Sequence, residues 1–259
     1  MGERTQYAPG TFSWVDLTTA DQDAARAFYR ELLGWGADDM PVGEGVVYSM
    51  MTKDGHHVAA ISPQPQAQRD AGVPSTWNSY ITVESADATA ARAAELGATV
   101  HAEPFDVFDA GRMAVIQDPQ GAWFMVWEPR RHIGAGLVNA PGALVWNELG
   151  TSDVDAARDF YSQLFGWEIA PFEGSEQPYW SIRNGERSNG GLMPVQPPHA
   201  PPHWAVYFGV DDLDAAIERV RALGGTVHAG PIDIQMARIA IAADPQGATF
   251  ALYDGMLEP

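Results

Sequence analysis

The chain has 259 residues, 46% hydrophobic and 10% aromatic, enough for two medium domains with full cores. It has no cysteine, which excludes disulfides, thiolate metal sites and a cysteine nucleophile. A net charge of −19 sets the surface against phosphate backbones and anionic lipid, so neither nucleic acid nor membrane is an expected partner. No apolar run reaches the roughly 18 residues of a membrane-spanning helix, and the first residues carry no apolar signal region, so the expected location is the cytoplasm.

In chain order, residues 1–10 read as a loose arm and residues 12–17 as a strand. A helix follows over 21–33, because Ala25, Phe28, Tyr29, Leu32 and Leu33 share one face and Gly34 stands where a left-handed residue ends a helix. Strands at 46–51 and 58–61 flank a turn at Asp54-Gly55, and the Pro- and Gln-rich stretch 62–75 is a connector. A related unit comes next: a strand at 77–83, an alanine-rich helix at 87–96 stopped by Gly97, a strand starting at 98–101, and a hairpin of 112–116 and 123–127. That hairpin turns through Asp118-Pro-Gln-Gly121, which has turn chemistry and is given no phosphate-binding role. Residues 129–142 form the boundary between halves.

The pattern then restarts. Asp-Ala-Ala-Arg-Ala-Phe-Tyr-Arg-Glu-Leu-Leu-Gly-Trp at 23–35 returns as Asp-Ala-Ala-Arg-Asp-Phe-Tyr-Ser-Gln-Leu-Phe-Gly-Trp at 155–167. Strands at 143–149, 179–182, 192–195 and 203–210 match those of the first half. A helix through Leu213, Ala216, Ile217 and Val220 and a hairpin over Asp244-Pro-Gln-Gly247 complete it. A repeat of this kind decides the architecture. The chain is an α+β protein of four βαβββ modules, paired into domains at 11–129 and 142–255. The repeated helix reads as scaffold.

The repeated helix, the Gly-Ala-Thr-Val and Gly-Gly-Thr-Val strand starts and the two Asp-Pro-Gln-Gly hairpins resemble the vicinal oxygen chelate superfamily, also called glyoxalase/bleomycin resistance/dioxygenase. Trp-Val-Asp-Leu at 14–17 and Trp-Asn-Glu-Leu at 146–149 resemble its double-module actinobacterial subgroup, which includes a mycobacterial culture-filtrate antigen. The resemblance implies that each pair of modules forms a curled eight-stranded sheet around a cavity, with helices outside. In metal-dependent members, His on the first strand of each module and Glu on the last point inward. Here those positions fall on Trp14, Asn78 and Met125, and on Trp146, Ala205 and Ala251. Of these only Asn78 is even a poor ligand, whereas a divalent ion needs three or four converging N or O donors. No metal and no other cofactor is therefore expected. His101 and His228, at strand ends in equivalent modules, read as partly buried structural residues.

Strand alternation separates two faces. Val15, Leu17, Ile81, Val83, Phe124 and Val126 suit helix packing, as do Val145, Leu149, Val206, Phe208, Phe250 and Leu252. The inward set is Phe12, Trp14, Asp16, Asn78, Tyr80, Trp123, Met125 and Trp127, with Leu144, Trp146, Glu148, His203, Tyr207 and Tyr253 in the second half. That composition suits a planar, mostly apolar small molecule, an antibiotic or secondary metabolite, bound for resistance or processing. Asp16 and Glu148 hold equivalent places and are the candidate catalytic groups of an alternative, a cofactor-free enzyme acting on an aromatic or polyketide metabolite. A metal-dependent lyase or dioxygenase and an interaction protein with a filled barrel are the remaining alternatives. The two fused halves fit a monomer with internal pseudo-symmetry or a homodimer.

Overall fold

The computed structural model describes residues 2–43, 45–173, 175, 177–235 and 237–257. The first half contains β1 (Gly2–Glu3), β2 (Phe12–Thr19), α1 (Gln22–Leu33), β3 (Gly36–Gly43), β4 (Val46–Lys53), β5 (His56–Pro63), α2 (Gln66–Asp70), β6 (Thr76–Thr82), α3 (Ala86–Glu95), β7 (Thr99–Val107), β8 (Gly111–Gln117) and β9 (Trp123–Pro129). After β10 (Leu137–Val138) come β11 (Leu144–Thr151), α4 (Val154–Phe165), β12 (Glu168–Pro171), β13 (Trp180–Asn184), β14 (Arg187–Pro194), β15 (His203–Gly209), α5 (Leu213–Ala222), β16 (Thr226–Ile234), β17 (Ala237–Ala243) and β18 (Thr249–Gly255).

The repeated helices begin and end as their sequences require. Asp21 and Asp153 are N-caps whose carboxylates accept from the amides of Ala24 and Ala156. Gly34 and Gly166 close them at φ 74° and 72°, a left-handed conformation that costs a residue with a Cβ.

Each half contributes one curled eight-stranded sheet. The orders are β3-β4-β5-β2-β6-β9-β8-β7 and β12-β13-β14-β11-β15-β18-β17-β16. Modules join through their first strands, which pair antiparallel as β2–β6 and β11–β15. The expected mixed α+β architecture of four modules is thus present. The N-terminal arm is less loose than its sequence suggests, since β1 pairs with β10 of the linker.

The outer faces of the two sheets pack toward each other, with the repeated helices crossing between halves. Ser79 of β6 donates to Asn147 of β11 at 2.8 Å. The Tyr29 hydroxyl of α1 donates to Asp244 Oδ2 in the last hairpin turn, 3.2 Å away, and accepts from Trp77 Nε1. The other half repeats this: Tyr161 of α4 donates to Asp118 Oδ2 at 2.9 Å and accepts from Trp204 Nε1. Trp35 Nε1 reaches the carbonyl of Gly142, and Trp167 Nε1 that of Gly10. The helix is therefore more than local scaffold, because its Phe-Tyr and Gly-Trp pairs latch one half onto the other. Both hydrophobic clusters contain residues from both halves, for example Tyr29 with Phe250 and Phe124 with Tyr161.

Candidate functional site

Two β-bulges reset strand parity at the entry to each site. On β2, Phe12 pairs with Ile81 and Trp14 with Tyr80, so Ser13 is an extra residue. Phe12 consequently faces outward, with its ring 4.8 Å from that of Trp204 and 5.6 Å from that of Trp167. The inward placement from simple alternation is wrong for Phe12. The same bulge on β11, between Leu144 and Trp146, turns Leu144 outward onto Phe208, so the assignments of Leu144 and Val145 also fail there. Beyond the bulges the alternation holds. Leu17 pairs with Trp77 on the outer face, and Trp14, Asp16, Asn78 and Tyr80 share the inner one.

In the first half these inner residues form one network. Asp16 Oδ2 accepts from the hydroxyls of Tyr48 (3.0 Å) and Tyr80 (2.8 Å), and Oδ1 from Asn78 Nδ2 (2.8 Å). Trp14 Nε1 donates to the Tyr48 hydroxyl at 3.1 Å. Strands β2, β4 and β6 thus converge on one carboxylate, which is 5% exposed. Burial pushes the Asp16 pKa up, and its three donors pull against that rise. Burial, then the charge of Asp16, holds the Tyr48 and Tyr80 hydroxyls well above their usual pKa.

The second half rebuilds the network with different parts. Tyr207 donates to Glu148 Oε1 at 2.7 Å, Tyr179 is a second hydroxyl partner, and Trp146 Nε1 donates to the Tyr179 hydroxyl at 3.0 Å. The Asn78 position is Ala205, and Glu148 pairs in register with it. A Cβ on Gly191 would stand 1.8 Å from the Tyr179 hydroxyl, so only glycine lets that ring reach Trp146 and Glu148. Burial raises the Glu148 pKa, opposed by Tyr207, Tyr179 and the nearby His203. Unlike their counterparts, Trp146 and Glu148 are both partly exposed.

The remaining predicted residues are spread along the inner faces. Met125 and Trp127 pair with Tyr80 and Thr82 and are nearly buried. Trp123 is 44% exposed and lies at the rim, stacked 4.0 Å from His101, whose Nε2 contacts Gln117. His101 and His228 are exposed, so neither is the partly buried residue expected. His203 is exposed with Nδ1 on the Pro201 carbonyl, and Tyr253 is partly buried with its hydroxyl on the Met256 carbonyl. A surface groove of about 440 Å³, lined by Asp23, Arg26, Arg30 and Trp35 among others, lies on the outer side of the sheet, away from Asp16.

Three residues on these faces escape a reading by strand alternation: Tyr48, Tyr179 and His132. The two tyrosines leave one signal, since each follows its module's first-strand Trp at nearly the same distance in sequence. His132 leaves none. The linker carries it onto the inner face of the first half, where its ring meets Trp14 edge-on at 4.6 Å and Trp127 at 5.9 Å. Burial lowers its pKa to about 4, with His57 adding to the effect.

The donor set does not fit a metal. Asn78 commits its amide to Asp16 and Thr18, and the tyrosine hydroxyls donate to the carboxylates rather than offering lone pairs to an ion. Among the described residues no group of three His, Asp or Glu side chains could hold one.

A family model described as the Glyoxalase/Bleomycin resistance protein/Dioxygenase superfamily matches residues 11–126 and 143–252. The chain is 46% identical over 255 residues to the protein named "Putative glyoxylase CFP32" of Mycobacterium tuberculosis, covering 97% of each. It is 36% identical over 265 residues to anthracycline biosynthesis protein DnrV of Streptomyces peucetius, covering 96% of this chain and 95% of that one. In fold it resembles the Mn(II)-bound glyoxalase from Novosphingobium aromaticivorans, with a TM-score of 0.65 at 18% identity over 99% of this chain and 84% of the other.

Proposed function

The chain belongs to the glyoxalase/bleomycin resistance protein/dioxygenase superfamily, and from that premise we propose that it is a metal-independent receptor for a planar, mostly apolar metabolite of the aromatic polyketide kind. The observation that carries the reading is the repeated Trp–Tyr–carboxylate–Tyr network on the inner faces. The indoles offer flat apolar contact. The acid offers an acceptor for a hydroxyl or amine of the ligand. The kinship with a protein named for anthracycline biosynthesis supports the ligand class and a role in metabolite processing or resistance.

Tryptophan fluorescence on titration with daunorubicin, an anthracycline, tests this. Saturable quenching, unchanged after dialysis against a chelator, is expected. A flat titration across anthracyclines and simpler anthraquinones contradicts it.

A second reading is favoured by one observation, the raised pKa of a carboxylate that is still partly exposed. Glu148 then takes a proton from an acidic hydroxyl or carbon of the bound metabolite and returns it elsewhere, a cofactor-free isomerisation. Glu148→Gln should abolish such turnover while weakening binding about tenfold. Equal loss of both argues that the carboxylate only positions the ligand.

A further inference from the structure

The two inner faces are built alike, yet among the described residues one is closed over its aromatic pair and the other leaves that pair partly exposed. Trp14 and Trp127 are 3% and 5% exposed, whereas Trp146 and Tyr253, which occupy the matching places, are both partly exposed. Register establishes the match: Trp14 and Trp146 pair with Tyr80 and Tyr207, and Trp127 and Tyr253 stand two residues beyond Met125 and Ala251, which align with those tyrosines. The cover is the linker. Trp127 Nε1 donates to the His132 carbonyl at 2.8 Å, and the His132 amide donates to the Ala110 carbonyl at 3.0 Å. Further along, Ala135 and Gly136 amides donate to the carbonyls of Ser13 and His57.

These bonds hold a flat aromatic ring edge-on against Trp14, beside Trp127. The fit is incomplete, because His132 Nε2 is buried without a hydrogen-bond partner. A side chain selected only to fill that space would be apolar.

We propose that His132 occupies in the first half the place that the ligand's ring takes in the second, so that the protein binds one ligand, between Trp146 and Tyr253. The inference rests on the receptor reading above and adds which half works and what closes the other. The ligand's ring lies edge-on or offset against the Trp146 indole, and a hydroxyl or amine of the ligand faces Glu148. The imidazole shows the size of group admitted: one planar ring deep between the two aromatics, with any further rings toward the open rim.

Isothermal calorimetry with daunorubicin as the probe decides it. Wild type is expected to bind one equivalent, His132→Ala two, Trp146→Ala none, and the double variant His132→Ala/Trp146→Ala one. That last result also shows that Trp146→Ala still folds. Acrylamide should quench the fluorescence of His132→Ala more than that of wild type, by exposing Trp14. Two equivalents in wild type, or one equivalent that survives Trp146→Ala alone, overturns the assignment while leaving the receptor reading intact. A stoichiometry of one in His132→Ala despite greater acrylamide access overturns the mimicry. No heat in any of the four proteins defeats the receptor reading itself, and the inference with it.

Discussion

The places where the halves meet and the faces they turn away from each other have kept the repeat to very different degrees. At the junction the helix-borne latches match residue for residue, although Ser79 and Asn147, which bond each other there, answer to Val206 and Val15. Tyr29, Asp244 and Trp77 answer to Tyr161, Asp118 and Trp204, and Trp35 on Gly142 answers to Trp167 on Gly10. On the inner faces the plan is shared but the parts differ: Asp16 against Glu148, Asn78 against Ala205, Met125 against Ala251, Trp127 against Tyr253, and a linker over one face only. A junction that must fit itself twice admits few changes. If only one inner face binds a ligand, as proposed, the other is free to diverge.

The junction is most vulnerable at the hairpin-turn aspartates. Asp118 Oδ1 accepts from three amides, those of Gln120, Gly121 and Ala122, while Oδ2 takes the Tyr161 hydroxyl. Asp118→Ala should cost about 3–5 kcal/mol, because it leaves several buried donors unpaired. Asp244→Ala should cost about as much, because Asp244 likewise holds the amides of Gln246, Gly247 and Ala248 and the Tyr29 hydroxyl. Urea unfolding measures both, and a loss under 1 kcal/mol in either would show that the junction does not depend on these turns.

The next effect is a pH dependence that only one half should show. His132 has a folded pKa of about 4 against an unfolded value of 6.5. Its neutral form is favoured in the folded state, so its contribution is full above pH 6.5 and is lost as pH falls toward 4. The loss amounts to about 3 kcal/mol once both states are protonated. Asp16 and Glu148, with raised pKa values, act in the opposite sense, gaining stability as pH falls through their folded values. The difference between wild type and His132→Leu isolates the histidine. A difference that stays constant from pH 7 to pH 4 would place the imidazole in water.

A smaller and symmetrical effect is expected from the tyrosines of the junction. Tyr29→Phe and Tyr161→Phe each remove one hydroxyl bond to a buried carboxylate and one from an indole, for about 1.5–3 kcal/mol apiece. Values for the two that agree within about 1 kcal/mol keep the symmetry. A larger gap breaks it. The smallest effect sharpens the contrast between the carboxylates. Glu148→Gln should weaken daunorubicin binding about tenfold, near 1.4 kcal/mol, and Asp16→Asn should change it less than twofold.

Much of the architecture was legible because it is local. The repeated helix carries its own cap, apolar face and glycine stop, and Asp-Pro-Gln-Gly carries its own turn. Their reach across to the other half was not legible, since nothing in Phe28-Tyr29 or Asp118 names a partner so distant in sequence. Inner-face parity was readable from Trp14 onward and failed at Phe12, because one bulged residue inverts every position before it. Asp16, Tyr80, Glu148 and Tyr207 were within reach of alternation. Tyr48 and Tyr179 approach from strands or loops whose own alternation is weak. His132 sits in a linker, where no period exists to place it.

On the proposal above, the second inner face receives a ligand while the first is closed by its own chain. The direct measurement is fluorine NMR of protein labelled with 5-fluorotryptophan, with Trp14 and Trp146 assigned by substitution and daunorubicin added stepwise. The Trp146 resonance should shift to saturation at one equivalent while that of Trp14 stays in place. Movement of Trp14 with Trp146 unmoved would place the ligand in the first half instead.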